Sequence, residues 1–182
     1  MIKSIDFFGN RNLIKLLAFS IDNSTIEMPQ KEIKKGTKLA QATLTKWLNT
    51  LEEENLIKVR IIGANKLYSL NKGHIVIKQL KILNNILKLA KVIKLLQNYN
   101  VSVYLYGSSA RGEDTEKSDI DLLAIGRLRK EEIIRDLNKI AESIGRKIKL
   151  EIFSPMEWSN IARKDKAFYE RIEKDKIELK WI

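Results

Sequence analysis

Residues 101–126, VSVYLYGSSARGEDTEKSDIDLLAIG, constrain the fold more tightly than any other part of the chain. Val101, Val103 and Leu105 alternate with other residues at the period of a strand with one buried face, and the run ends abruptly at Gly107-Ser108. Twelve residues after Gly107, Asp119-Ile120-Asp121 opens a second apolar run through Leu122 and Leu123. Period two places both aspartates on one face of that strand. Two ionised carboxylates a few ångströms apart repel unless a cation lies between them, and a divalent metal is the natural one. Gly107 allows the backbone to approach a phosphate closely, Ser108 and the amides that follow can donate to it at the start of a helix, and Arg111 adds a positive charge about one turn on. Residues 147–153 alternate again, with Ile148, Leu150 and Ile152 inward and Lys149, Glu151 and Phe153 on the other face. A neighbouring strand can thus offer Glu151 as a third carboxylate.

Composition restricts what else is possible. The 182 residues, 44% of them hydrophobic, suffice for one ordinary core or two small ones. Without cysteine there are no disulfides or thiolate metal sites, and a single histidine, His74, excludes a multi-histidine zinc site, so any metal is held by oxygen. His74 follows Gly73 at the start of a helical pattern, a capping or surface position rather than a catalytic one. No basic-then-apolar leader opens the sequence and no apolar run reaches membrane-spanning length, which predicts a soluble, cytoplasmic protein without membrane association. With two prolines, eight glycines and no flexible linker, any domain boundary is expected in or beside a helix.

The net charge of +11 is unevenly placed. Residues 1–100 carry 17 Lys/Arg against 7 Asp/Glu, a net of +10, whereas residues 101–182 carry 17 against 16, a net of +1. A surplus concentrated in this way favours a polyanion such as nucleic acid through counterion release, with a lysine-rich, heat-adapted composition as the alternative.

That basic half has its own pattern. Leu13, Ile14, Leu16, Leu17 and Ile21 predict a helix from Asn10, its N-cap, to Ile21. Residues 26–28 read as extended. Pro29 opens a second helix through Lys35 that Gly36 ends as a C-cap, and a third runs over 40–54 with Leu44, Leu48 and Leu51 inward. LIKVRIIGANKLYSL then reads as a hairpin turning at Gly63-Ala64-Asn65. This order resembles the winged helix-turn-helix of prokaryotic transcription regulators, with Gly36-Thr37-Lys38-Leu39 as the turn into the recognition helix. The resemblance implies that Gln41, Thr43, Thr45 and Lys46 face the DNA major groove and that Arg60 and Lys66 meet phosphates beside the wing. A purely structural or protein-binding role is the other reading of such a module.

Residues 74–98 read as one long helix with two apolar stripes. Ile75, Ile82, Ile86, Leu89, Ile93 and Leu96 form one, and Val76, Leu80, Leu83, Leu87 and Ala90 the other. Two stripes need two partners, which points to a homodimer; burial of both within one chain is the alternative. Beyond the first two strands, residues 129–143 predict a crossover helix burying Ile133, Ile134, Leu137 and Ile140. Pro155 starts a helix through Lys164 bearing Trp158 and Ile161. Phe168, Tyr169 and Ile172 continue a helical cover, and residues 177–182 add an edge strand. Trp158 and Trp181 are read as core residues.

GSSARGEDTEKSDIDLL resembles the nucleotidyltransferases of the polymerase-beta superfamily, and in particular the minimal prokaryotic nucleotidyltransferases that include antitoxins paired with HEPN-domain toxins. The resemblance implies an α+β chain: a winged helix-turn-helix over 1–72, a connecting and dimerising helix over 73–98, and a nucleotidyltransferase domain over 99–182 whose mixed sheet is flanked by helices. It further implies that Gly107, Ser108 and Arg111 bind a nucleoside triphosphate such as ATP. Asp119 and Asp121 would be catalytic and hold two Mg²⁺ ions, with Glu151 completing the set where the minimal group more often has aspartate. The acceptor could be a partner protein such as a toxin. The same motifs also suit a DNA-binding regulator that only senses nucleotide, or a transferase acting on RNA or a small molecule.

Overall fold

The computed structural model describes residues 9–180 of the chain, so the expectation for Trp181 lies outside the described residues. Two compact units divide it, Met1–Gln79 and Leu80–Ile182.

In the first unit, helix α1 (Arg11–Asp22) begins where Asn10 Oδ1 accepts the amides of Asn12 and Leu13, both at 3.1 Å, satisfying two otherwise orphaned donors. It buries Leu13, Leu16, Leu17 and Ile21. A two-residue strand β1 (Met28–Pro29) leads into α2 (Gln30–Thr37). The expected glycine C-cap is not where the helix stops: Gly36 lies inside α2, and Lys38 takes the left-handed position at φ 54°. Gly36 serves packing instead, since a Cβ there would come within 2.1 Å of the Phe19 ring. Helix α3 (Gln41–Glu53) buries Trp47 together with the expected Leu44, Leu48 and Leu51. Strands β2 (Ile57–Ile62) and β3 (Asn65–Leu70) pair antiparallel through the turn at Gly63, φ +58°, and β1 adds to the far side of β3, giving the order β1-β3-β2.

The predicted long helix is broken. Helix α4 (Ile75–Lys88) starts where His74 Nδ1 accepts the amide of Val76 at 3.2 Å, a capping role for the single histidine. The helix is interrupted at Leu89, and α5 (Ala90–Leu96) follows. The division between the units falls within α4. The two expected stripes part company: Leu89, Ile93 and Leu96 enter the core of the second unit, whereas Leu83 and Leu87 stay exposed.

The second unit is a four-stranded mixed sheet of order β6-β5-β4-β7. Strand β4 (Val101–Tyr106) runs through a one-turn helix α6 (Gly107–Ala110) and a loop to β5 (Ile120–Gly126), its antiparallel neighbour. Helix α7 (Lys130–Ile144) closes on Gly145 in the left-handed conformation, φ +73°, and carries the chain over to β6 (Ile148–Phe153), parallel to β5. Helix α8 (Pro155–Lys164) begins with a reciprocal capping box between Ser154 and Glu157. Helix α9 (Lys166–Asp175) then leads to β7 (Ile177–Glu178), an antiparallel edge strand on β4.

Strand alternation sorts the side chains into two layers. Val103, Leu105, Ile120, Leu122, Ala124 and Leu150 pack with α5 and with Ile133 and Leu137 of α7. Each large aliphatic chain buried there contributes roughly 1.5–3 kcal/mol relative to exposure. The opposite face is aromatic: Trp158, 7% exposed and so a core residue as expected, packs against Phe153 and Tyr169 at ring-centroid distances of 5.5 and 5.1 Å. Tyr106, Leu123 and Ile172 complete that layer. The faces differ in one consequence for function. Asp121 shares the aromatic face with Tyr106 and Leu123, at the end of the sheet where β4 stops.

Candidate functional site

The site is assembled where β4 ends and β5 begins. Tyr106 and Asp121 are paired across the two strands, so the chain must leave β4 directly beside the Asp121 carboxylate. Gly107 makes this possible. Its φ is +72°, and a Cβ at this position would lie 2.8 Å from Asp121 Oδ2. The next residues form the single turn α6, in which Ser109 and Ala110 are buried and Ser108 is half-buried. The amide of Glu113 returns to the carbonyl of Ser108 at 2.9 Å, curling the segment after Gly107 back on itself.

A buried arginine that sequence patterning missed holds the loop between α6 and β5. Arg146 donates from Nε to the Ser118 carbonyl (2.8 Å). Its Nη1 reaches Asp114 Oδ2 (2.7 Å) and Asn85 Oδ1 (3.2 Å), and its Nη2 reaches Ser109 Oγ (3.2 Å) and the Asp119 carbonyl (3.3 Å). Lys81, also buried, donates to the Asp114 carbonyl and stands 3.5 Å from its carboxylate. One guanidinium thus ties α4, α6, the loop and the start of β5 together, with its charge offset by Asp114. Arg146 lies next to Gly145 at the α7–β6 junction, where a basic residue reads as an ordinary helix-end charge. Asp114 reads as one of several loop acids. Their pairing depends on contacts 32 residues apart.

Asp119 and Asp121 are brought together as expected, but the third position differs. In the parallel register between β5 and β6, Asp121 lies beside Lys149, and Glu151 lies one pair further on, beside Leu123. Lys149 Nζ approaches Asp119 Oδ2 at 2.8 Å. That hydrogen bond holds the Asp119 carboxyl below its usual range and raises the Lys149 ammonium. Burial pushes Asp121 above its ordinary value; Lys149 pulls it down and the charge of Asp119 pushes it up. Burial, then Asp121 and Glu151, push the Tyr106 phenol up to about 12. Register thus puts Lys149, rather than the Glu151 expected as a third carboxylate, directly beside Asp121, and among the described residues no group of three or more His, Asp or Glu side chains is gathered to hold a metal. Two carboxylates on one face suit a single divalent ion with oxygen ligands, whereas the donor set does not fit two ions.

Arg111, expected as a phosphate-binding charge, is engaged by Glu113 at 2.9 Å and by Asp175 of α9 at 3.1 Å. A second arginine acts electrostatically on Asp121. Arg171 is exposed on α9, stacks its guanidinium 5.3 Å from the Phe168 ring, and lowers both Asp121 and Tyr106 electrostatically. Glu151, which also acts on Tyr106, lines a cleft of about 490 Å³ with Arg127, Lys130 and Glu157.

In the first unit, Gln41, Lys46 and Lys66 are exposed, and Thr43 is half-buried. Thr45 and Arg60 are committed locally: Thr45 Oγ1 accepts from Gln30 Nε2 at 2.7 Å, and Arg60 is paired with Glu27. The hairpin tip is apolar, with Ile61 68% exposed. Among the described residues, no helix is long and apolar enough to cross a membrane.

Residues 86–179 match the family model of the nucleotidyltransferase domain. The crystal structure of a Sulfolobus solfataricus protein assigned as a nucleotidyltransferase is 27% identical over 56% of this chain and 85% of that one, with a TM-score of 0.31. No curated protein matches the chain significantly.

Proposed function

The chain belongs to the nucleotidyltransferase-domain family, and from that premise we propose that it transfers AMP from ATP to an acceptor hydroxyl at the site of Gly107, Ser108, Asp119 and Asp121. The observation that carries this reading is the Asp121 carboxylate held against Gly107, where any side chain would collide with it. It joins a backbone turn suited to phosphate with the acidic pair suited to the phosphate's metal. Ser108 and the amides of the turn bind the phosphates. Asp119 and Asp121 hold Mg²⁺, which when bound polarises the phosphate oxygens and offsets the charge developing on the leaving pyrophosphate. Arg171 lies near enough to add positive charge at the same mouth. The acceptor hydroxyl gives up its proton to solvent and its oxygen bonds to the α-phosphorus as the bond from that phosphorus to the bridging oxygen breaks and pyrophosphate leaves, so no protein nucleophile is needed. The acceptor is a hydroxyl of a partner protein, such as a toxin in a paired system.

The first unit is read as a winged helix-turn-helix that binds DNA. Its support is the net charge of +10 in residues 1–100 and the exposure of Gln41, Lys46 and Lys66. The exposed stripe of Leu83, Leu87 and Ala90 on α4 and α5 supports a homodimer. A second reading, a regulator that binds nucleotide without transferring it, is favoured by the Lys149–Asp119 pair within the acidic cluster.

The test is incubation with Mg²⁺ and each of four α-labelled nucleoside triphosphates, alongside protein and RNA acceptors, for wild type and Asp121→Ala. Label moving to protein from ATP, and lost in Asp121→Ala, supports the proposal. Binding of ATP without transfer to any acceptor supports the regulator.

A further inference from the structure

We propose that Lys149 is a built-in cation standing in for a second metal, so that the site binds a nucleoside triphosphate with a single divalent ion. This rests on the reading of Asp119 and Asp121 as the nucleotide site. Three observations carry it. The first is register: Lys149 is the β6 residue directly beside Asp121 in the parallel ladder. Neighbouring strands lie about 4.8 Å apart, whereas the next residue on the same face stands a further two residues, roughly 6.6 Å, along the strand. The position from which β6 can most readily share a metal with Asp121 therefore carries an ammonium.

The second is the contact itself. Lys149 Nζ lies 2.8 Å from Asp119 Oδ2, so it is drawn to the carboxylate that a second ion would need. An exposed pair of this kind adds little stability and is readily exchanged, so it does not lock the site shut. It does reduce the charge of the acidic group from −2 to −1. The third is the placement of Glu151, the nearest other carboxylate on β6. It lies beside Leu123, is exposed, and lines the cleft with Arg127, Lys130 and Glu157. Two carboxylates with one lysine among them can hold one divalent ion and meet a triphosphate oxygen with the ammonium. They lack the oxygen ligands that a second ion requires.

The repulsion between an ammonium and a divalent ion about 5 Å apart, even in a water-like dielectric, corresponds to roughly a tenfold loss of metal affinity. The experiment counts Mn²⁺ by electron paramagnetic resonance in the presence of a non-hydrolysable ATP analogue, with analogue binding measured separately by equilibrium dialysis. Wild type is expected to hold one Mn²⁺ per bound analogue and Lys149→Asp two. Without nucleotide, Lys149→Met is expected to bind Mn²⁺ about tenfold more tightly than wild type. Two Mn²⁺ per analogue in wild type, with one of them lost in Glu151→Gln, would overturn the inference while leaving the nucleotide site intact. Failure of wild type to bind the analogue at all in Mn²⁺ overturns the nucleotide site, and with it the inference. The Lys149 side chain is 62% exposed, and the far-ultraviolet spectrum of each variant checks that it is folded.

Discussion

Replacing Arg146 by methionine removes the guanidinium that holds the loop between α6 and β5 and keeps much of its apolar stem. The Arg146 and Asp114 side chains are 7% and 4% exposed, so the substitution leaves a carboxylate in a nearly dry setting. Breaking a buried pair by deleting one partner costs about 3–5 kcal/mol. Lys81 remains 3.5 Å from Asp114, which places the expected loss near the lower bound, about 3 kcal/mol. In a domain of 60–100 residues each kcal/mol corresponds to roughly 4–8 °C in Tm, so a fall of about 12–24 °C is expected. Thermal and urea unfolding of wild type, Arg146→Met, Asp114→Asn and the double variant measure it. The double variant should lose less than the sum of the singles, because each single substitution already removes the Arg146–Asp114 contact; the buried Lys81 ammonium keeps its bond to the Asp114 carbonyl in both. Hydrogen exchange should quicken at residues 115–121, whose carbonyls at Ser118 and Asp119 lose their donor. An Arg146→Met protein within 1 kcal/mol of wild type, or strict additivity in the cycle, would refute the view that this guanidinium holds the loop.

Further perturbations probe other parts of the account. Gly107→Ala forces a left-handed conformation on a residue with a side chain and pushes its Cβ against Asp121 Oδ2; about 1–2 kcal/mol of stability and most Mn²⁺ binding should be lost, as denaturation and metal titration would report. Gly36→Ala drives a methyl into the Phe19 ring and should destabilise the first unit by about 1–3 kcal/mol; a stabilised variant, as helix propensity alone predicts, would contradict the packing role. The Tyr106 phenol, raised from 10.0 to about 12, keeps its proton longer in the folded chain than in the unfolded one. Its contribution to stability is therefore complete below pH 10 and declines as the pH rises toward 12, and Tyr106→Phe should flatten the alkaline fall of Tm over that window.

The strands of the second unit were readable because each buries one face, so Val103, Leu105, Ile120 and Leu122 announce themselves by alternation. The acidic pair followed from the same period. Register did not: alternation puts Lys149 and Glu151 on one face but leaves open which of them stands beside Asp121, and that choice is made by how α7 delivers β6 to β5. The network around Arg146 was hidden for a related reason, since Lys81, Asn85, Ser109 and Asp114 carry no periodic signature and meet only in the folded unit. Gly36 read as a helix stop because glycine favours C-caps, yet its lack of a side chain is used for Phe19 while Lys38 takes the strained turn. The break at Leu89 has no proline or glycine to mark it.

The central claim is that nucleotide and metal meet between Gly107 and Asp121, and amide chemical-shift mapping during titration with ATP and Mg²⁺ tests it most directly. The account predicts shifts concentrated at Gly107–Ala110, residues 118–121, Lys149 and Arg171, abolished by Asp121→Asn. Shifts centred on the cleft of Arg127, Lys130, Glu151 and Glu157, with Gly107 and Asp121 unmoved, would contradict it.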